Sequence, residues 1–346
     1  MKHFFILLFI ISFKISSFSQ NTKAVFTDLD VFDLQYVKNP QISPDGSQIV
    51  YRRMTFDILK DRAVGNLWMI NSSGINNQKL TSRESSEYGA IWSPNGDRLA
   101  FISSTDEGSE IYIYWKNTSK FAKISQLEGS PSNLVWSSNG KDLAFTMKVK
   151  TAPPVLVKMP KKPKGAKWAK TARITDRLYH ESDGQGYIDT GFTHVFLISS
   201  EGSGIAQLTS GEFNHRGPLS WSNDNSKVYF TSNRSDSWEY DFRNSELYSV
   251  NVENYRIMAL TDRKGPDFNP KESPNGKYVA YLGYNDKIQA YQNTQLSIMD
   301  ADGKNKRVLS LNVNSSINSY QWDSNNKGIY YSYDKFGDTK IAYLNL

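Results

Sequence analysis

From about residue 39 onward the chain consists of short runs in which apolar and polar residues alternate, separated by polar clusters rich in Gly, Asn, Asp and Ser. Alternation with a period of two marks a strand with one buried face, and the clusters between runs mark tight turns. One phrase recurs through this pattern. Its copies are Pro40-Gln-Ile-Ser-Pro-Asp-Gly46, Ile91-Trp-Ser-Pro-Asn-Gly96, Val135-Trp-Ser-Ser-Asn-Gly140, Leu219-Ser-Trp-Ser-Asn-Asp-Asn225, Pro270-Lys-Glu-Ser-Pro-Asn-Gly276 and Tyr320-Gln-Trp-Asp-Ser-Asn-Asn326. Each is followed by a β-rich run such as Arg98-Leu-Ala-Phe101 or Asp142-Leu-Ala-Phe145. Pro presets φ at the first turn position, while Asp, Asn and Gly tolerate the left-handed backbone that closes a hairpin.

The residues that open the turns are Ser43, Ser93, Ser137, Ser222, Ser273 and Asp323, so successive gaps are 50, 44, 85, 51 and 50 residues. The long gap leaves room for one degenerate unit. A second phrase follows most copies: Asn66-Leu-Trp-Met-Ile70 with Lys79-Leu-Thr81, Glu110-Ile-Tyr-Ile-Tyr114 with Lys123-Ile-Ser125, and His194-Val-Phe-Leu-Ile198 with Gln207-Leu-Thr209. Glu246-Leu-Tyr-Ser-Val250 with Ala259-Leu-Thr261, and Gln295-Leu-Ser-Ile-Met299 with Arg307-Val-Leu309, complete the set. Four short strands in roughly 45–50 residues is the period of a propeller blade. A lone four-stranded sheet cannot bury both faces, and radial stacking of such sheets solves that problem. The fold class expected is therefore all-β: a β-propeller with six recognisable repeats over residues 39–346.

Composition narrows the chemistry. The 346 residues include no Cys, which excludes a disulfide scaffold, a thiolate nucleophile and an iron–sulfur cluster. The 46 aromatic residues and a formal charge of only +6 exclude a disordered chain. Met1-Lys-His3, the apolar run Phe4–Ile11, and the small residues Ser17 and Ser19 read as a signal peptide over residues 1–19, with Gln20 as the first mature residue. The alternative is a buried N-terminal strand. The apolar run is too short to span a bilayer, which takes about 20 residues. Residues 20–38 form a lead-in to the first repeat.

Charge is concentrated in one insertion. Residues 148–177 hold ten Lys or Arg against one acid, Asp176, leaving the rest of the mature chain mildly acidic. Pro153, Pro154, Pro160 and Pro163 in the same stretch make it an extended surface excursion. Nucleic-acid binding is the competing reading. An export signal and the lack of an aromatic ladder among the lysines weigh against it.

The phrase Ile91–Phe101 resembles the WD40-like (PD40) repeat shared by TolB-type propellers and S9-family serine peptidases. The Gly-His and Trp-Asp signature of true WD40 repeats does not recur. The lead-in Thr27–Gly46, where the resemblance implies a short helix, resembles that of acylaminoacyl-peptidase and dipeptidyl-peptidase-5-like enzymes. So does Ala172-Arg-Ile-Thr-Asp-Arg-Leu-Tyr179, followed by Asp183-Gly184 and His194–Ile198. The resemblance implies the N-terminal propeller of an S9 prolyl-oligopeptidase-family peptidase, part of a usually seven-bladed ring. It implies peptide substrates and a C-terminal α/β-hydrolase domain that carries a Ser–Asp–His triad. The Gly-x-Ser-x-Gly elbow of such a domain is not in this sequence. Gly202-Ser-Gly204 sits in a hairpin turn, and Lys340–Leu344 reads as a third strand without its partner, so the chain is expected to lack the catalytic domain.

No residue is therefore expected to be catalytic, cofactor-binding or metal-ligating, and no cofactor is expected. Glu84 and Glu87 are the nearest match to a pair of amine-binding glutamates, but they are not adjacent and read as a loop. Asp300-Ala-Asp-Gly303 opens like a calcium loop and lacks its later ligands, so it reads as a turn. His180, His194 and His215 are scattered and lack metal spacing. Trp92, Trp136, Trp221 and Trp322 occupy equivalent repeat positions and read as inter-blade core. Two other readings stay open: a TolB-like periplasmic propeller that serves as a protein-binding platform, and a non-functional truncation.

Overall fold

The computed structural model describes residues 25–81, 85–169 and 172–346. A 3-10 helix, Leu29–Asp33, leads into six blades built of consecutive antiparallel strands. Blade one holds β1 (Tyr36–Ile42), β2 (Gln48–Asp57), β3 (Arg62–Asn71) and β4 (Gln78–Lys79). Blade two holds β5 (Ser86–Trp92), β6 (Arg98–Thr105), β7 (Gly108–Trp115) and β8 (Lys120–Lys123). Blade three is β9 (Pro131–Trp136) and β10 (Asp142–Lys150), then β13 (Gly191–Ser199) and β14 (Ile205–Gln207). Between them β11 (Glu181–Ser182) and β12 (Gly186–Tyr187) form a separate two-stranded ribbon. Blade four is β15 (His215–Trp221), β16 (Lys227–Ser232), β17 (Glu246–Asn251) and β18 (Ile257–Ala259). Blade five is β19 (Asp267–Glu272), β20 (Tyr278–Gly283), β21 (Gln295–Asp300) and β22 (Arg307–Val308). The sixth sheet has three strands, β23 (Ile317–Trp322), β24 (Gly328–Lys335) and β25 (Asp338–Asn345).

The recurring turn joins the first and second strands of every blade. In the copies that open with Ser, the hydroxyl accepts the backbone N–H five residues on: Gln48, Arg98, Asp142, Lys227 and Tyr278, at 2.9–3.0 Å. It donates to the Asx two residues on, as Ser93 does to Asn95 and Ser137 to Asn139. These serines are buried, so a constant small hydroxyl is what the turn requires. Only the fourth turn position takes positive φ: Gly46, Gly96, Gly140, Asn225, Gly276 and Asn326. The preceding Asp or Asn is kept as a hydrogen-bond acceptor and not for left-handed backbone.

The Leu-Thr phrase has an equally local cause. The hydroxyls of Thr81, Ser125, Thr209, Thr261 and Ser310 accept the N–H of Leu67, Ile111, Val195, Leu247 and Leu296, tying each outer strand to the third strand. The cores lie between blades. Ile111, Ile113, Leu143, Phe145 and Ile198 pack in one cluster across blades two and three, and Val195, Val228, Phe230 and Val250 in another across three and four.

Among the described residues the 85-residue gap holds no further four-stranded unit, only the β11–β12 ribbon. Blade three is split: β10 and β13 pair in unbroken register from Asp142↔Ser199 to Lys150↔Gly191, and residues 151–190 leave and return at the same end of the sheet. The excursion therefore runs further than the basic stretch that marked it in the sequence.

Candidate functional site

The path of the excursion follows from its composition. Four prolines and six lysines in residues 151–170 supply neither a continuous set of ladder donors nor a buried face, so no sheet grows beyond Lys150. The two ends are clamped: Thr190 Oγ1 donates to the Thr151 carbonyl at 2.6 Å, and Lys150 pairs with Asp189 at 2.7 Å. Re-entry needs Gly191. Its φ is +128°, and a Cβ there would collide with the Val149 carbonyl oxygen.

Folded back over blades three to five, the excursion roofs a cavity of about 2260 Å³. Its roof presents Val155, Leu156, Val157, Met159 and Trp168, all apolar and all exposed. Its floor is the inner strand of blade four at Arg216-Gly-Pro218, with Thr231, Ser232 and Asn233 beside it. Tyr240 and Phe242, in the loop after β16, complete an apolar rim.

Among the described residues, six cations and three acids line this space. Lys150 is neutralised by Asp189, whose carboxyl that ammonium holds below its usual range. Lys148 donates to the Asp189 backbone carbonyl, and burial lowers its ammonium pKa. Arg177 lies over the Phe192 ring at 4.4 Å and 4.0 Å from Glu239. Arg243 pairs with Asp286 at 3.3 Å. Arg173 stacks on Tyr187 at 4.2 Å and has no carboxylate within ion-pair distance among the described residues. The Arg216 side chain, on a strand residue paired with Thr231, has neither an ion pair nor a hydrogen bond among the described residues.

The residues weighed as sites in the sequence fall elsewhere. Glu84 lies outside the described residues. Glu87 is fully buried and accepts from Asn66 at 2.9 Å and Thr81 at 2.8 Å, so no ligand can reach it. Asp300–Gly303 closes the β21–β22 hairpin, with Gly303 N–H donating to the Asp300 carbonyl at 2.9 Å. The indoles of Trp92, Trp136, Trp221 and Trp322 each donate to a carbonyl of the preceding blade in the structure: Gln41, Ile91, Val135 and Lys271.

Two of the three histidines come together, and the third stands apart. His180 lines the cavity, and its Nδ1 sits near the carbonyls of Arg177 and Leu178. His194 and His215 touch at 3.2 Å between their Nδ1 atoms, buried at the seam of blades three and four. Arg234 can only donate, so His215 Nε2 accepts from it at 2.7 Å and the ring proton sits on Nδ1, facing the Thr193 carbonyl. Burial, with Arg234 nearby, pushes the His215 pKa down to about 4. The position explains the pair. Asn66 and Glu87, and Glu246 and Asp267, share its 21-residue spacing, and Glu87, His215 and Asp267 are each fully buried at the start of an inner strand. The histidines fill a repeated, buried seam position between blades. That 21-residue recurrence was the signal in the sequence that would have paired them.

Fold and cavity define a β-propeller related to the N-terminal propeller of S9 serine peptidases. A family model, the dipeptidyl peptidase IV (DPP IV) N-terminal region, matches residues 162–288, the stretch that supplies most of the cavity lining. Dipeptidyl-peptidase 5 of Porphyromonas gingivalis is 25% identical over 334 residues, covering 90% of this chain and 47% of that protein. Among solved structures, acylaminoacyl peptidase of Pyrococcus horikoshii superposes with a TM-score of 0.66 at 12% identity, over 90% of this chain and 45% of that one. The β-propeller domain of the Trilobed protease from Pyrococcus furiosus, described as having an open velcro topology, gives 0.58 at 13% identity over 90% and 81%. The chain thus spans about half the length, or less, of the curated relatives it matches.

Proposed function

We propose that this chain is the gating and substrate-selecting propeller of an exported S9-family serine peptidase that acts on short peptides, and that it works with an α/β-hydrolase domain not contained in these 346 residues. The observation that carries the reading is the match to dipeptidyl-peptidase 5 along 90% of this chain and about half of that enzyme. The physical role follows from shape. A rigid multi-bladed wall beside a hydrolase site excludes folded polypeptide and admits only segments thin enough to pass, and the roofed cavity on blades three to five gives an admitted peptide something to bind. The apolar N-terminal run supports export, with Gln20 as the mature N-terminus.

The test is immunopurification of the native protein from the producing cells with an antibody raised to this chain. The purified material is expected to react with a fluorophosphonate serine-hydrolase probe and to cleave dipeptidyl substrates, while the 346-residue chain alone does neither. Native material that is inert to both overturns the reading. Edman sequencing of the same material checks the start at Gln20.

A further inference from the structure

The excursion cavity contains an imbalance that the fold does not need. Four of its six cations are engaged: Lys148 and Lys150 at Asp189, Arg177 at Glu239, and Arg243 at Asp286. Arg216 is left without an anionic partner among the described residues, Arg173 has nearby only the charge of Asp189, which Lys150 already pairs, and both are exposed on the cavity wall, which Asp176 also lines. They approach it from different elements. Arg173 comes down from the excursion and is held flat by Tyr187, while Arg216 rises from the first strand of blade four, where the pairing with β16 is interrupted between Arg216 and Ser220. The walls around them are apolar: Leu156, Val157, Trp168 and Phe242.

We infer that this cavity binds a peptide carboxylate, with Arg216 and Arg173 as the receiving guanidiniums and the excursion's apolar residues holding the adjoining side chains. The chemistry selects that class. A guanidinium presents parallel N–H donors that match the two oxygens of a carboxylate. The apolar roof suits peptide side chains and gives a sugar or a bare inorganic anion little to pack against. The carboxylate has two possible sources, the C-terminus of a short peptide or an acidic side chain. With a C-terminus seated there, the distance to a neighbouring hydrolase site would set the length of peptide accepted.

The choice of a peptide as the carrier rests on the peptidase reading; the carboxylate site does not, and it is tested on the chain alone. Calorimetric titration compares Ala-Ala-Phe with its C-terminal amide, and Ala-Glu-Phe-amide with Ala-Gln-Phe-amide, at low salt. A preference of at least tenfold within the first pair assigns the C-terminal carboxylate, and within the second an acidic side chain. That preference is expected to collapse in R216M, to shrink in R173M, and to persist in K340M, a control far from the cavity. Circular dichroism confirms that each variant is folded. Equal binding within both pairs, or a preference that survives R216M and R173M combined, overturns the site. A chain that prefers carboxylates while its native form carries no serine hydrolase retains the site and discards the peptidase reading. A hydrolase-bound chain indifferent to the carboxylate does the reverse.

Discussion

The indole N–H of Trp136 donates to the backbone carbonyl of Ile91 at 3.2 Å, so a side chain on the inner strand of blade three closes a main-chain acceptor on the inner strand of blade two. Trp136 is also buried, and the guanidinium of Arg98 sits over its ring at 5.1 Å while donating to the Gly140 carbonyl. Packing and hydrogen bonding can be separated here by substitution. W136F keeps most of the ring and leaves the Ile91 carbonyl without its donor, a loss of about 1 kcal/mol. W136A opens a cavity as well, for a loss of about 3–5 kcal/mol. Urea denaturation followed by circular dichroism checks both values. Equal losses in the two variants would mean that the seam owes nothing to the ring's volume.

Blade five breaks the pattern. Where the other later blades place Trp, it has Glu272, whose carboxylate accepts the Asn223 N–H at 2.6 Å and the Tyr229 hydroxyl at 2.9 Å, both from blade four. The seam is bridged by an acceptor instead of a donor. Burial raises the pKa of this carboxyl, and burial, with Glu272 adding to it, raises that of the Tyr229 phenol. E272Q keeps an acceptor oxygen and is expected to change stability by less than about 1 kcal/mol. E272A strands a buried hydroxyl and an N–H, at a cost of about 1–3 kcal/mol. The ordering of their denaturation midpoints is the check.

These two seams show what could be read from the sequence and what could not. The blades were legible because the turn phrase reports a local need: a buried Ser hydroxyl, an Asx acceptor and one left-handed residue, all within six positions. The tryptophans were legible because they precede that phrase by one residue. Glu272 sits at the same offset, but a glutamate there reads as surface until its partners 43 and 49 residues earlier are known. The His194–His215 pair was missed for the same reason, since its logic lies in a 21-residue spacing across a seam and not in any motif. The cavity was the least legible of all. The excursion that roofs it has no periodicity, and β10 and β13 find each other across 40 intervening residues, so charge and proline marked only where the chain departs from the repeat.

The buried seam groups titrate in opposite senses. Burial holds His215 down at about 4, with His194 and Arg234 adding to the effect, so the unfolded chain binds the extra proton between about pH 4 and 6.5 and stability falls as the solution is acidified through that window. Burial pushes Glu246 up to about 7, with Asp267 adding to it, so here the folded chain binds the extra proton and stability falls as pH rises from about 4.5 to 7. Each group contributes at most about 1.4 kcal/mol per pH unit, and the two partly cancel in the parent. Relative to the parent, H215Q is expected to gain stability as pH falls from 6.5 to 4, and E246Q as pH rises from 4.5 to 7. Denaturation midpoints at half-unit intervals test the crossing. Parallel profiles in the two variants would rule it out.

The turn glycines allow a test in which the protein supplies its own control. Gly140 has a φ of +67°, and a Cβ there would meet only ordinary contacts, at 3.5 Å from Arg98 and Pro94. Space is therefore not the obstacle to a side chain; backbone preference is. Asn occupies the equivalent position in blades four and six, at Asn225 and Asn326, with φ of 61° and 58°. G140N is accordingly expected to lie within about 0.5 kcal/mol of the parent, because Asn visits the left-handed region at small cost. G140A should lose about 1 kcal/mol, and G140V more, because a β-branched residue is a steric outlier at positive φ. The order parent, Asn, Ala, Val in denaturation midpoint is the expected result. If Ala and Asn prove equally tolerated, the recurring Gly or Asn of this turn is not explained by left-handed backbone.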